Sequence, residues 1–165
     1  MALVGQSGKG EMSGQVYKDA MNNTVHLGNL YEDKIMMALK KKGIFISVFK
    51  TKEYQFKFGE CREGIEIKYD RRSLDRMQLS IEVEERKDLD SPWVKSGILK
   101  KDNSWLYVQG NDEWAYIFMK KILVHIFNKR NPQIEIPVPT IKTFFIDIST
   151  CNLYGELVDL KEYKI

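Results

Sequence analysis

Residues 64–87 read GIEIKYDRRSLDRMQLSIEVEERK. Ile65, Ile67 and Tyr69 alternate with Glu66, Lys68 and Asp70, and further on Leu79, Ile81 and Val83 alternate with Ser80, Glu82, Glu84 and Arg86. Successive side chains of a strand point to opposite faces, so a period of two gives each run one apolar and one charged face. The segment between them, 71–78, is polar and carries Arg71, Arg72 and Arg76. The expectation is two paired strands joined by a basic loop, presenting Glu66, Lys68, Asp70, Glu82 and Glu84 on one shared surface.

Working upstream, Tyr31, Ile35, Met36 and Leu39 form an apolar stripe at helical spacing, which predicts a helix over 30–42. Asn29 suits its N-cap, Glu32 and Asp33 its positive first turn, and a run of lysines ends it before Gly43. Residues 44–49 and 54–58 are rich in aromatic and β-branched side chains and read as strands, close enough in sequence to pair as a hairpin. Residues 1–25, rich in Gly, Ser, Asn and Gln without a sustained apolar period, read as a flexible N-terminal arm with at most one helical turn over 16–21.

Downstream, a loop over 88–101 leads to a strand at 105–109, a turn at 110–112 and a strand at 114–118. An amphipathic helix is predicted over about 120–129, a proline-containing connection over 131–139 and a strand over 143–148, while 157–165 shows no decided pattern. This order predicts one domain over 26–165, an α+β fold or a mixed sheet flanked by helices.

Composition agrees with a globular domain. The chain has 165 residues, 43% hydrophobic and 30% charged, enough for one core and too few for two ordinary domains. A formal charge of +3 permits nucleic-acid binding without demanding it, since charge bears on partners when clustered. Cys61 and Cys151, far apart, argue against a disulfide framework and fit a reducing cytoplasm. No run has the length of a membrane span and the start lacks a continuous apolar core, so a cytoplasmic location without a signal peptide or a membrane partner is expected.

Carboxylates from neighbouring strands commonly hold Mg²⁺, a hard cation that wants oxygen ligands and keeps several waters. In phosphodiester hydrolysis such a metal orients the phosphate, acidifies the attacking water and neutralises developing charge. A hairpin with a wet face also carries alternating charges as a matter of course, stabilised slightly by cross-strand pairs. Periodicity alone leaves both readings open.

Several segments in order resemble the PD-(D/E)XK superfamily, in particular the small nucleases and nuclease-like proteins of phages and mobile elements. They are Glu32 on a helix ending at Gly43, the strand Ile65-Glu66-Ile67-Lys68-Tyr69-Asp70, the strand Ser80-Ile81-Glu82-Val83-Glu84, and Ser96-Gly97-Ile98 followed by Asn103-Ser104-Trp105-Leu106-Tyr107-Val108. The resemblance covers about residues 30–128. It implies a restriction-endonuclease-like mixed central β-sheet flanked by helices, and a Mg²⁺-dependent DNA endonuclease in which Mn²⁺ substitutes for Mg²⁺. It further implies that Asp70 and Glu82 bind the metal with the backbone carbonyl of Val83, and that Glu32 is an auxiliary ligand, directly or through water. Position 84 departs from the usual lysine; Glu84 would act as general base or ligand a second metal, or Lys68 or Lys101 would supply the positive charge. Arg71, Arg72, Arg76, Ser96, Lys100 and Lys101 would contact DNA, the basic ones neutralising phosphates. A homodimer is the simplest way for such a chain to cut both strands.

A second register exists in the same sequence. Glu66-Ile67-Lys68 is itself a (D/E)XK string and requires an upstream acid such as Glu53 or Glu60; it leaves the Ser96-Gly97 segment unused. Other chemistries find less support. The string Gly5-Gln6-Ser7-Gly8-Lys9-Gly10 lacks the glycine spacing, the following Ser/Thr and the preceding strand of a phosphate loop. His26 and His125 have no evident partner, and there is no nucleophile elbow. Trp93, Trp105, Trp114, Tyr107 and Tyr116 suit base stacking, though aromatics on strands more often build a core. Two other functions stay open, a non-catalytic nucleic-acid-binding module on the same fold and an interaction protein with a merely solvated charged hairpin.

Overall fold

The computed structural model describes residues 9–48, 51, 53–55 and 59–163. The fold is mixed α+β and has two four-stranded sheets. Helix α1 spans Lys9–Lys41. It is longer than the 30–42 helix expected from its apolar stripe and includes most of the segment read as a flexible arm; residues 1–8, with most of the Gly5–Gly10 string, lie outside the described residues. Glu11, Gln15, Lys18, Ala20 and Met21 are good helix formers, and a helix already nucleated by its packed end propagates at one hydrogen bond per residue. Gly43, at φ +81°, ends it, with the amides of Lys42 and Ile44 donating to the Leu39 carbonyl.

Among the described residues the expected hairpin over 44–58 is not formed. Residues 44–47 run without strand pairing, Val48 makes a single antiparallel bridge to Cys61, and residues 53–55 are helical, with 49, 50, 52 and 56–58 outside the described residues. The helical turn closes locally, the Gln55 amide donating to the Thr51 carbonyl. Local turn chemistry here outweighs β propensity.

Strand β1 (Ile65–Tyr69) pairs in parallel with β4 (Leu106–Gly110), which pairs antiparallel with β5 (Trp114–Met119), and β5 with β8 (Glu156–Asp159). The second sheet is antiparallel throughout, in the order β3 (Val94–Lys95), β2 (Gln78–Glu85), β7 (Ile141–Asp147), β6 (Glu135–Val138). The two strands of the deciding stretch are therefore not ladder partners, and the single central sheet is split into two. The reason lies in the loop between them. Helix α2 (Ser73–Arg76) ends at Met77 in the left-handed region, φ 53°, and this turn delivers β2 to a different sheet. After β3 comes a 3₁₀ turn, Gly97–Leu99; helix α3 (Lys120–Arg130) follows β5, and helix α4 (Ile148–Tyr154) joins β7 to β8.

The first sheet is covered on both faces. Ile65, Ile67, Val108 and Ala115 pack with Tyr31, Ile35 and Leu39 of α1 in one core. Tyr107, Tyr116 and Phe118, on the opposite face by strand alternation, pack with Leu79, Ile81 and Phe144 of the second sheet and with Leu123 and Ile126 of α3. The charged side chains of β1 thus face the seam between the sheets. No helix among the described residues is long and apolar enough to cross a membrane.

Candidate functional site

Lys68 is the centre of the charged face. Its Nζ lies 3.2 Å from Glu66 Oε1, 3.4 Å from Glu60 Oε1 and 4.0 Å from Glu82 Oε2. Glu66 and Lys68 leave the same side of β1, opposite Tyr107 and Gln109 in the parallel register. The free edge of β1 fixes Glu60, since the unpaired Ile67 amide donates to its Oε2 at 3.1 Å. Glu82 comes from the other sheet, where Gly97 backs it closely. A Cβ on Gly97 would stand 2.3 Å from the Glu82 carbonyl oxygen and 2.8 Å from its Cβ, so only glycine fits. That close approach is what the Ser96-Gly97-Ile98 segment does in this fold.

The charges do not cancel locally, because several carboxylates share one ammonium. Burial opposes the charge on Lys68, but Glu82, Glu60 and Glu66 overcome it and hold the ammonium well above the usual lysine range. Burial pushes the Glu66 carboxyl upward, against the pull of Lys68 and Lys120. Glu66 is 4% exposed and its Oε2 has no hydrogen-bond partner. The second ammonium, Lys120 Nζ, stands 3.8 Å from that oxygen, held back by the Lys100 carbonyl at 3.0 Å, Asp102 Oδ1 at 3.1 Å and Ser104 Oγ. Burial works against the charge of Asp102, but hydrogen bonds from Ser104 and Lys120 keep its carboxyl below the usual range.

A cleft of about 500 Å³ opens beside this cluster, lined in part by Lys68, Asp70, Glu82, Arg71 and Arg72. Tyr107, Gln109 and Thr143 also line it, 0%, 3% and 3% exposed, and the Tyr107 hydroxyl, Gln109 Oε1 and Thr143 Oγ1 lack hydrogen-bond partners. Burial, then Glu66 and Glu82 against Lys68, raise the Tyr107 hydroxyl well above its ordinary pKa, so it stays a neutral donor.

The residues expected to form the site are dispersed around this centre. Asp70 lines the cleft, but its carboxylate is saturated by Arg76 Nη2 at 2.7 and 2.9 Å and by the Ser80 amide at 2.9 Å. It clasps the end of β1 to the start of β2, and Arg76 is spent on that clasp. A bulge between Glu82 and Glu84 breaks the strict alternation that would have put both on one face. Glu84 instead pairs with Lys142 at 2.7 Å. The Val83 carbonyl accepts the Ser96 amide at 3.0 Å, and Ser96 packs beneath β2, 1% exposed, with its Oγ making no hydrogen bond. Glu32 lines a separate pocket with Glu60. Arg71, Arg72 and Lys101 are exposed, and Lys100 Nζ lies 3.8 Å from Asp102.

Glu66, Lys68 and Glu60, the second register, are the ones brought together with Glu82. Tyr107 was legible in the sequence only as a strand aromatic, and Lys120 and Asp102 were not singled out as site residues, because all three are distant in sequence from β1 and meet it only through long-range packing. His26 and His125 are both exposed. Among the described residues no three His, Cys, Asp or Glu side chains form a group able to hold a metal ion. Mg²⁺ sites, however, commonly use one or two carboxylates and leave the rest to water and phosphate oxygens. By that standard Asp70 does not fit while it holds Arg76 and the Ser80 amide, whereas the Val83 carbonyl accepts the Ser96 amide and keeps a second lone pair. Glu66 fits through its buried Oε2, which accepts no hydrogen bond, and Glu82 through an oxygen too far from Lys68 for one. No family model matches the chain, and no curated protein or solved structure shows significant similarity to it.

Proposed function

We propose that the protein is a Mg²⁺-dependent DNA endonuclease whose reacting centre is Glu66, Lys68 and Glu82, with Glu60 beside them. The observation that carries this reading is the buried Glu66 oxygen that accepts no hydrogen bond, its nearest ammonium standing off at 3.8 Å, set among carboxylates that outnumber the ammonium groups and beside a cleft that Lys68 and Glu82 line and arginines rim. An ion cluster completed within the fold would pair that oxygen directly, whereas the Lys120 ammonium is drawn away from it by Asp102, Ser104 and the Lys100 carbonyl. The reading also keeps the likeness to PD-(D/E)XK nucleases, with Glu66-Ile67-Lys68 as the (D/E)XK string and Glu60 as the upstream acid.

Glu66 and Glu82 are the residues that would hold Mg²⁺, and the ion would supply acidification of a water and neutralisation of charge on the phosphate. The chain's own residues do the remainder. Lys68, kept fully protonated by its carboxylates, serves as a fixed positive charge for the phosphate oxygens and not as a base. Glu60, the most solvent-reached of the carboxylates around Lys68, anchors that ammonium from the side of the neighbouring pocket, its oxygens accepting from Lys68 and the Ile67 amide. Arg71 and Arg72, exposed at the cleft, position the backbone of the nucleic acid without reading its sequence.

The test is cleavage of plasmid and oligonucleotide DNA with Mg²⁺ or Mn²⁺, wild type beside Glu66→Gln, Lys68→Met and Glu84→Gln. Loss of at least about a hundredfold for the first two, with Glu84→Gln near wild type, is the expected pattern. A folded wild-type protein that neither cuts any substrate nor binds a divalent cation in calorimetry would defeat the enzymatic reading. One observation favours a second reading in that event: Lys68 stands among the carboxylates where a cation would compete with it, as in a self-neutralised, non-catalytic DNA-binding module.

A further inference from the structure

The cleft beside the carboxylate cluster has three kinds of lining, and a nuclease acting only on intact duplex needs one. The groups that would meet phosphates are Arg71 and Arg72, both exposed and neither in an ion pair among the described residues. A second stretch is aliphatic: Leu27 from α1, Pro137 and Val138 from β6, and Ile141 from β7. Val138 remains 42% exposed there, an apolar side chain that finds no cover within the fold. The third is the set of buried polar atoms without partners, the Tyr107 hydroxyl, Gln109 Oε1 and Thr143 Oγ1. Gln109 is the most telling of these. Its Nε2 donates to the Ser80 carbonyl at 2.8 Å, which fixes the amide and leaves the acceptor end unpaired.

An intact duplex presents phosphates and groove edges. Its base faces are stacked and its pairing edges are used, so aliphatic lining and unpaired donors and acceptors gain nothing from it. An unpaired nucleotide supplies what each lining lacks: a phosphate for the arginines, an apolar face for Val138 and Ile141, and a hydrogen-bonding edge for Gln109, Thr143 and Tyr107. The cleft volume of about 500 Å³ is in the range that encloses a small-molecule-sized group. We propose that this cleft binds one unpaired nucleotide, so that the substrate is single-stranded DNA or a duplex carrying an unpaired segment. The inference rests on the nuclease reading for where the phosphate is cut, but the binding it asserts is measurable without cleavage.

The experiment is fluorescence anisotropy in EDTA with a labelled single strand of mixed sequence and with the same strand annealed to its complement. Wild type is compared with Val138→Ser/Ile141→Ser, an exposed and a half-buried position, and circular dichroism verifies that the fold survives. Single strand should bind about tenfold more tightly than duplex, and the double variant should lose about tenfold on single strand with little change on duplex. Equal or tighter binding of duplex, an unchanged affinity of the variant for single strand, or no binding of either probe overturns the proposal. A protein that prefers single strand in EDTA yet cuts nothing with metal refutes the nuclease reading and leaves this inference standing. One that cuts duplex with no preference for single strand does the reverse.

Discussion

Glu66 on β1 and Asp70, one residue past its end, are similarly buried, with 5% and 10% of their side chains exposed, and have opposite surroundings. Asp70 accepts from Arg76 and from the Ser80 amide, so its charge is matched and its oxygens are used. Glu66 shares Lys68 with other carboxylates, keeps Lys120 at 3.8 Å, and leaves Oε2 without a hydrogen bond. A carboxylate completed inside the fold works as a clasp. One left incomplete inside the fold is held ready for something from outside, at a cost the rest of the structure must offset. The comparison assigns different consequences to their removal.

The largest effect on stability is expected for Asp70→Ala. It strands Arg76 in a part-buried site, leaves the Ser80 amide unpaired and releases the turn that sends β2 to its own sheet, a loss of about 3 kcal/mol. Glu66→Gln strands nothing, because Lys68 keeps Glu60 and Glu82 and Lys120 keeps Asp102. Its stability should lie within about 1 kcal/mol of wild type in urea melts without metal, while cleavage is lost. If Glu66→Gln proves the more destabilising of the two, the roles assigned to the two carboxylates must be exchanged.

Gly97→Ala comes next and probes how the incomplete cluster is assembled. The residue sits at φ +48°, and its Cβ would meet the Glu82 backbone. Together the left-handed conformation and the overlap should cost about 2 kcal/mol. The displacement would fall on Glu82, so cleavage measured well below the melting temperature should drop as well. An active, unshifted Gly97→Ala protein would show that Glu82 needs no such backing.

Asp147 extends the comparison to a second completed carboxylate. It caps α4, accepting from the Thr150 amide at 2.7 Å and from Ser149 Oγ. These bonds lower its carboxyl from 3.8 to about 2. Since the folded form holds the proton less tightly than the unfolded form, its contribution is present above about 3.8 and fades as the pH falls toward 2. Asp147→Ala should therefore cost about 1 kcal/mol at neutral pH, and its melting temperature should approach that of wild type in acid. A gap that does not shrink on acidification would place the capping energy elsewhere.

Much of this arrangement was visible along the chain, because period and capping are local properties. The strands at 65–69 and 78–85, the helix after 119 and the charged face of each strand follow from alternation and apolar spacing. Partnership is not local. Ile65 pairs with Leu106, and β2 with β7, and nothing in residues 64–87 announces either. Those long-range pairings decide which carboxylates meet. They bring Tyr107 and Lys120 to Glu66, and a bulge turns Glu84 away from Glu82. Two registers were legible in the sequence, and choosing between them takes the contacts of Lys68.

Glu84→Gln should have the smallest effect and divides the two registers most cleanly. The usual reading of a strand such as Ser80-Ile81-Glu82-Val83-Glu84 makes Glu84 a base or a ligand, whereas here it pairs with Lys142, both side chains partly solvated. Such a pair contributes roughly 0.5 kcal/mol or less, screened further by salt. Lys142 would keep its place over the Trp93 ring, 4.4 Å from the centroid, so the local packing survives the substitution. Stability and cleavage should both stay close to wild type, in contrast to Glu66→Gln, which spares stability and removes cleavage. Should Glu84→Gln abolish cleavage while Glu66→Gln does not, the reacting centre is the Asp70, Glu82 and Glu84 set after all. The clasp of Arg76 on Asp70 would then have to open when metal binds, and Arg76→Ala would raise metal affinity where the present reading has it lower only stability.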